Sequence, residues 1–250
     1  MTVGSLFSWI GGFDLGFERA GFEIRWQVEI DPFCRRVLEK HWPGIKRYAD
    51  IRTLHAPEPA YVDVICGGFP CQPVSDNGTK GRQRDARWLW PEFARLIREL
   101  RPRYVVVENV AGLRRGGMGD LLGDLAAIGF DAEWESVPAA AFGAPHGRDR
   151  VWLVAYPHVP GCQRTHEAIR PRGPQEAALV SAGTGQWGPQ AMWPPEPPVD
   201  RMVHGLPDRL ARRDNECGIA SFGNSIVPAI GEWLARRILA AAPPGSEPEK

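Results

Sequence analysis

The chain has 250 residues, 43% of them hydrophobic and ten of them tryptophan, which suits one sizeable packed α/β domain with a small appended lobe and excludes global disorder. Thirty basic and thirty acidic residues cancel, so bulk charge points to no nucleic-acid partner, and any such partner must be held by local patches. Five cysteines without paired spacing argue against a disulfide framework and a zinc site; with no membrane-length apolar run and no signal-peptide pattern, a soluble intracellular protein without a metal is expected.

Gly4 to Phe7 reads as a short apolar strand, followed by Ser8-Trp9-Ile10-Gly11-Gly12 and the amphipathic segment FDLGFERAGF. Strand, glycine-rich turn and helix open a nucleotide-binding βαβ unit, in which missing side chains let a ligand approach the backbone at a helix N-terminus. A second strand, Ile24 to Val28, ends in Glu29, seventeen residues beyond Gly12, where such folds bind ribose hydroxyls. Asp31 and Pro32 then read as N-cap and first-turn proline of a helix to about His41, with Phe33, Val37 and Leu38 on its inner face. A third short strand is expected to end near Asp50 and Ile51.

The stretch YVDVICGGFPCQPVS, Tyr61 to Ser75, reads as a buried strand from Val62 to Cys66 opening into a Gly-Gly turn. Gly67, Gly68 and Pro70 fix a backbone shape that packing alone does not need, and they present Cys71 where an α/β enzyme mounts a nucleophile. Cys34 and Cys66, within a helix and on the strand, read as small buried hydrophobes. Lys80, Arg82, Arg84 and Arg87 follow in a glycine-containing stretch, a mobile basic loop suited to phosphate contacts.

Pro91 starts a helix with Leu89, Phe93, Leu96, Ile97 and Leu100 spaced on one face. Tyr104 to Val107 is a strand running into Glu108-Asn109-Val110, which puts the Glu108 carboxylate at the carboxyl edge of a parallel sheet, facing the same crevice as Cys71. A helix with Leu121, Leu122, Leu125 and Ile128 inward, a strand near Ala132 to Val137 and a strand from Val151 to Tyr156 complete this part. Arg148 and Arg150 alternate on the approach to that last strand and so point the same way. Periodicity dissolves after Pro157, through the proline-rich Pro189 to Pro198, and recovers at SFGNSIVP and a helix with Ile230, Trp233, Leu234 and Ile238 on one face.

The runs GGFPCQ and ENV, in this order and after the glycine-rich opening, resemble the motifs of the cytosine-C5 DNA methyltransferases, and the resemblance extends over nearly the whole chain. It implies a doubly wound, mostly parallel α/β sheet of the Rossmann-like S-adenosylmethionine-dependent kind. It implies Cys71 as nucleophile at cytosine C6, Glu108 at N3 and the exocyclic amine, and Arg148 and Arg150 as the arginines that orient the catalytic loop and touch the base. The cofactor pocket it implies comprises Phe7, Trp9, Ile10, Gly11, Gly12, Glu29, Ile30, Asp50, Ile51, Gly68, Pro70, Asn224 and Ser225, with Glu29 on the ribose and Asp50 near the adenine amino group. Gln72, Ser75, Lys80, Arg82, Arg84, Arg87 and Asn109 are its DNA contacts. The chain departs from the pattern at Trp9, where the family has a glycine, and at His146, where it has a glutamine.

The implied division is a catalytic and cofactor-binding part at 1–156, a reduced target-recognition region at 157–192, a return to the catalytic domain at 193–241 and a disordered tail at 242–250. The expected activity is methyl transfer to C5 of a flipped cytosine in double-stranded DNA by a cytoplasmic monomer, prokaryotic or phage-encoded, in a restriction–modification setting. Three other readings share the motifs: a modified sulfonium cofactor, an RNA cytosine methyltransferase, and a non-catalytic DNA-binding relative.

Overall fold

A computed structural model describes residues 1–70, 88–142, 144, 147–159 and 226–242. Cys71, the basic loop that follows it, His146, the 160–225 segment with Asn224 and Ser225, and the 243–250 tail lie outside the described residues.

The chain opens with β1 (Thr2–Leu6), α1 (Gly12–Arg19), β2 (Glu23–Val28), α2 (Pro32–His41) and β3 (Lys46–Tyr48). It continues with β4 (Val64–Gly67), α3 (Trp90–Leu100), β5 (Tyr104–Val110), α4 (Leu113–Gly116) and α5 (Met118–Ile128). β6 (Phe130–Pro138), β7 (Asp149–Pro157) and α6 (Pro228–Ala241) follow. The seven strands form one sheet in the order β3-β2-β1-β4-β5-β7-β6. The first five are parallel, while β7 runs antiparallel to both β5 and β6. The chain winds outward from β1 to β3 on one side and from β4 onward on the other, so the order reverses between β1 and β4. In open α/β sheets that reversal opens a crevice at the carboxyl ends of the strands.

Strand residues alternate between two apolar layers, as a period of two requires. Ile65, Val105 and Val107 face the layer of Phe93, Leu96, Leu121 and Leu125, from α3 and α5. Val64, Cys66, Tyr104 and Val106 face the layer of Phe13, Phe17, Leu38, Trp233 and Leu234, from α1, α2 and α6. A sheet covered on both sides explains why β4 and β5 read as continuous apolar runs.

The boundaries depart from expectation for local reasons. β1 ends at Leu6 because Phe7 takes a positive φ of 53° and leaves the strand. On α2, Asp31 is the N-cap expected, its carboxylate accepting from the amides of Phe33 and Cys34, but the buried pair is Cys34 and Leu38, with Phe33 and Val37 only half-buried. β3 stops at Tyr48, since Asp50 turns its carboxylate onto the Arg52 amide and caps a short 3-10 turn, Ile51–Thr53. β4 starts at Val64 because Asp63 is drawn onto Thr2, accepting from its amide at 2.7 Å and its hydroxyl at 3.0 Å. β5 runs three residues past Val107, so Glu108 and Asn109 are strand residues paired with Trp152 and Val151.

Candidate active site

The turn from β1 to α1 is built on left-handed backbone. Phe7 and Trp9 have φ of 53° and 50°, and Gly11, the N-cap of α1, has φ of 89°. Glycine adopts such angles freely, whereas a side chain there costs about 1–2 kcal/mol. The turn is held at Trp9, whose amide donates to Glu29 Oε2 at 2.7 Å, while the Asp31 amide donates to Glu29 Oε1 at 2.8 Å. Glu29 is therefore a buried acid at the tip of β2, gripped from both sides. Burial pushes its carboxyl above the ordinary range, against the lowering pull of those two amides.

Around Glu29 stand the ends of the neighbouring strands. Ile30, the next residue, is 61% exposed, an uncovered apolar side chain beside a buried acid. Ile51 is buried, and Asp50 beside it is held below the usual carboxylate range by Arg52, which reaches it with Nε at 3.0 Å and Nη2 at 2.6 Å. Gly12 lies so close to the Ile226 carbonyl that a Cβ would fall 2.4 Å from it, which brings the approach to α6 onto the glycine turn. An apolar surface, a buried acid and bare backbone at the carboxyl ends of β1, β2 and β4 fit a nucleoside with ribose hydroxyls to donate.

The second half of the crevice is made by β4 and β5. Glu108 is almost wholly buried, and its Oε1 lies 3.2 Å from Arg150 Nε, an ion pair without hydrogen-bond alignment. Burial raises the Glu108 carboxyl to about 7, with Arg150 and then Arg148 pulling it down. Arg148 in turn is lowered by its own burial and by the charge of Arg150. A Cβ on Gly68 would meet Glu108 Oε2 at 2.8 Å, so bare backbone at the start of the Gly68-Phe69-Pro70 run lets the chain pass against the carboxyl. Asn109, expected to contact DNA, is buried and spends its side-chain amide inside the protein, donating to the Phe69 carbonyl at 3.1 Å.

Residues 1–174 match the family described as C-5 cytosine-specific DNA methylase. The chain belongs to that family. Among its relatives, the type II methyltransferase M2.BsuMI of Bacillus subtilis (strain 168) is 36% identical over 164 residues, 62% of this chain and 42% of that protein. The type II methyltransferase M.DsaV of Dactylococcopsis salina is 33% identical over 156 residues, covering 60% and 44%. The chain thus spans less than half the length of these relatives. The Entamoeba histolytica methyltransferase EhMeth, at 13% identity, superposes with a TM-score of 0.65 over 97% of this chain and 99% of that one, a likeness of fold alone.

Of the site residues expected from sequence, the described ones lie along one edge of the sheet: the glycine turn, Glu29 with Ile30, Asp50 with Ile51, and Gly68 with Glu108 and Arg150. Two features were not legible. Ile226 bridges the halves of the crevice, with its carbonyl on Gly12 and its Cδ1 3.8 Å from a Cβ built on Gly68; only its place just before Pro228 hinted at this. The buried polar set Ser5, Ser8, Asp14 and Gln27 left no pattern, because its members are scattered over β1, the turn after it, α1 and β2.

Proposed function

We propose that this chain methylates carbon 5 of cytosine in double-stranded DNA, with Cys71 as a covalent nucleophile. The observation that carries the reading is Glu108, a buried carboxyl at the edge of β5 that keeps its proton up to about pH 7 beside the start of the GGFPCQ run. Carbon 5 is too weak a nucleophile on its own, so a thiolate must first add at C6. As the Cys71 sulfur bonds to C6, the displaced electrons move through C4 to N3, where Glu108 delivers its proton. S-adenosylmethionine, when bound, supplies the electrophilic methyl that C5 then takes. A water takes the C5 proton, the C5–C6 double bond reforms with expulsion of the Cys71 thiolate, and N3 returns its proton to Glu108. Arg150 and Arg148 hold Glu108 in place while it is ionised between these steps.

Glu29 would accept the ribose hydroxyls, Ile30 and Ile51 would cover the adenine with Asp50 near its amino group, and Phe7, Trp9, Ile10, Gly11, Gly12, Gly68, Pro70, Asn224 and Ser225 would complete the pocket. Gln72, Ser75 and the basic residues from Lys80 to Arg87 would hold a strand whose target cytosine is flipped out of the stack. The 157–192 stretch would serve as a reduced target-recognition region, and the chain would act as a cytoplasmic monomer. Transfer of tritiated methyl from S-adenosylmethionine to duplex DNA, located at C5 of cytosine after digestion, tests the reading. The intact protein should label DNA and Cys71→Ala should not, while still binding the cofactor. Labelling by Cys71→Ala would reject the nucleophile, and no cofactor binding by either protein would reject the activity.

A further inference from the structure

Beneath the glycine turn lies a carboxyl that this chemistry does not use. Asp14, in the first turn of α1, is 1% exposed, and Gln27, on β2, is fully buried. Asp14 Oδ1 accepts from Ser5 Oγ and from Gln27 Nε2, both at 2.9 Å, and Ser5 Oγ lies 2.6 Å from Ser8 Oγ. Two acceptors of this set are left buried without a donor: Asp14 Oδ2 and Gln27 Oε1. They belong to the carboxyl and the amide that already face each other through Oδ1 and Nε2.

One proton resolves both. We propose that Asp14 is a neutral carboxylic acid whose Oδ2–H donates to Gln27 Oε1, making a two-bond acid–amide pair that pins α1 and the glycine turn to β2. Turning the amide of Gln27 over leads to the same place, since Oε1 would then stand 2.9 Å from Oδ1, a contact between two acceptors that also needs a proton. The surroundings offer an anion only hydrogen bonds from neutral groups, Gln27, Ser5 and the backbone. Ser5, Ser8 and Gln27 are neutral, Glu18 on α1 repels it, and the Cys66 thiol on β4 is itself pushed up by burial and by Asp14. No lysine or arginine among the described residues forms an ion pair with it. Burial, joined by the charge of Glu18, outweighs the hydrogen bonds from Gln27, Ser5 and the backbone and raises the Asp14 carboxyl to about 6, and a second bond made only by the protonated form adds to that.

The pair makes Asp14 a positioning residue, since β1 and β2 carry the two sides of the cofactor crevice, Phe7 to Trp9 and Glu29. The proton assignment stands without the functional reading; only its bearing on cofactor affinity rests on it. Infrared spectra of protein carrying carboxyl-13C aspartate, beside Asp14→Asn, test the assignment. A protonated-carboxyl band persisting at about pH 6, above the ordinary aspartate range, and missing from Asp14→Asn is expected.

Thermal stability supplies a second readout. The folded protein keeps a proton that the unfolded chain loses, so it should lose stability relative to Asp14→Asn as pH rises between about 4 and 7. Asparagine can make both bonds of the pair, so Asp14→Asn should keep S-adenosylmethionine affinity, while Asp14→Leu, which makes neither, should weaken it. An Asp14 carboxyl ionised in the ordinary range, with a pH-independent stability difference from Asp14→Asn, would overturn the pair. Were the pair present and no variant or native protein to bind S-adenosylmethionine, the functional reading would fail instead.

Discussion

Glu108 shows how a single side chain acquires its chemistry from where it lies. A carboxyl removed from water on β5 holds its proton because the charged form has lost its solvation, and one guanidinium 3.2 Å away restores only part of it. In the proposed mechanism the protonated acid is the form that gives N3 its proton, and that form disappears as pH rises through about 7. Single-turnover methyl transfer should therefore fall on the alkaline side of about pH 7. Glu108→Gln should abolish that limb and slow the step by about 10²- to 10⁴-fold, as expected for loss of a general acid. Trp9 carries a cost of another kind, a left-handed backbone under a large side chain. Trp9→Gly and Trp9→Ala both delete the indole, but only glycine relaxes at φ of 50°. Trp9→Gly should thus be the more stable of the two in denaturant melts by about 1 kcal/mol, opposite to the usual ranking of alanine over glycine.

At the scale of elements, the site is the end of β5 locked to the end of β4. Asn109 ties the strand to the Phe69 carbonyl, and Gly68 lets the backbone pass against the Glu108 carboxyl. Asn109→Ala should cost about 1–3 kcal/mol of stability through the buried Phe69 carbonyl it leaves unpaired. Gly68→Ala should push the carboxyl aside and lower turnover by more than it lowers stability, measured by methyl transfer beside thermal melts. Sequence periodicity made β4, β5, α3 and α6 legible, because each buries a continuous apolar set or stripe. The cap of α2 was legible from Asp31 and Pro32 alone. The ends of β1 and β3 were not, since Phe7 and Asp50 leave their strands for reasons of backbone angle and side-chain capping that an apolar pattern does not encode.

Across the whole molecule, the reversal of strand order between β1 and β4 creates the crevice, and every described residue of the candidate site lies at or near the strand ends that border it. Motif order along the chain anticipated this arrangement, because the glycine turn, Glu29 and the Gly68-Phe69-Pro70 run each follow a strand and Glu108 lies near the end of one. The antiparallel run of β6 and β7 was not legible: alternation marks which residues face inward but not which way a strand runs. The partnership of Arg150 with Glu108 depends on that direction, as β7 sets Arg150 opposite Val110, two residues along β5 from Glu108. The central claim is that the edge so assembled forms a covalent bond from Cys71 to cytosine C6. The most direct measurement is mass spectrometry of the protein incubated with S-adenosylmethionine and duplex DNA carrying 5-fluorocytosine, whose fluorine cannot leave as a proton and so traps the adduct. The account predicts a cross-linked species with the modification on Cys71, absent from Cys71→Ala. Methylation of ordinary DNA without such a trapped species, or a trapped species on another residue, would contradict it.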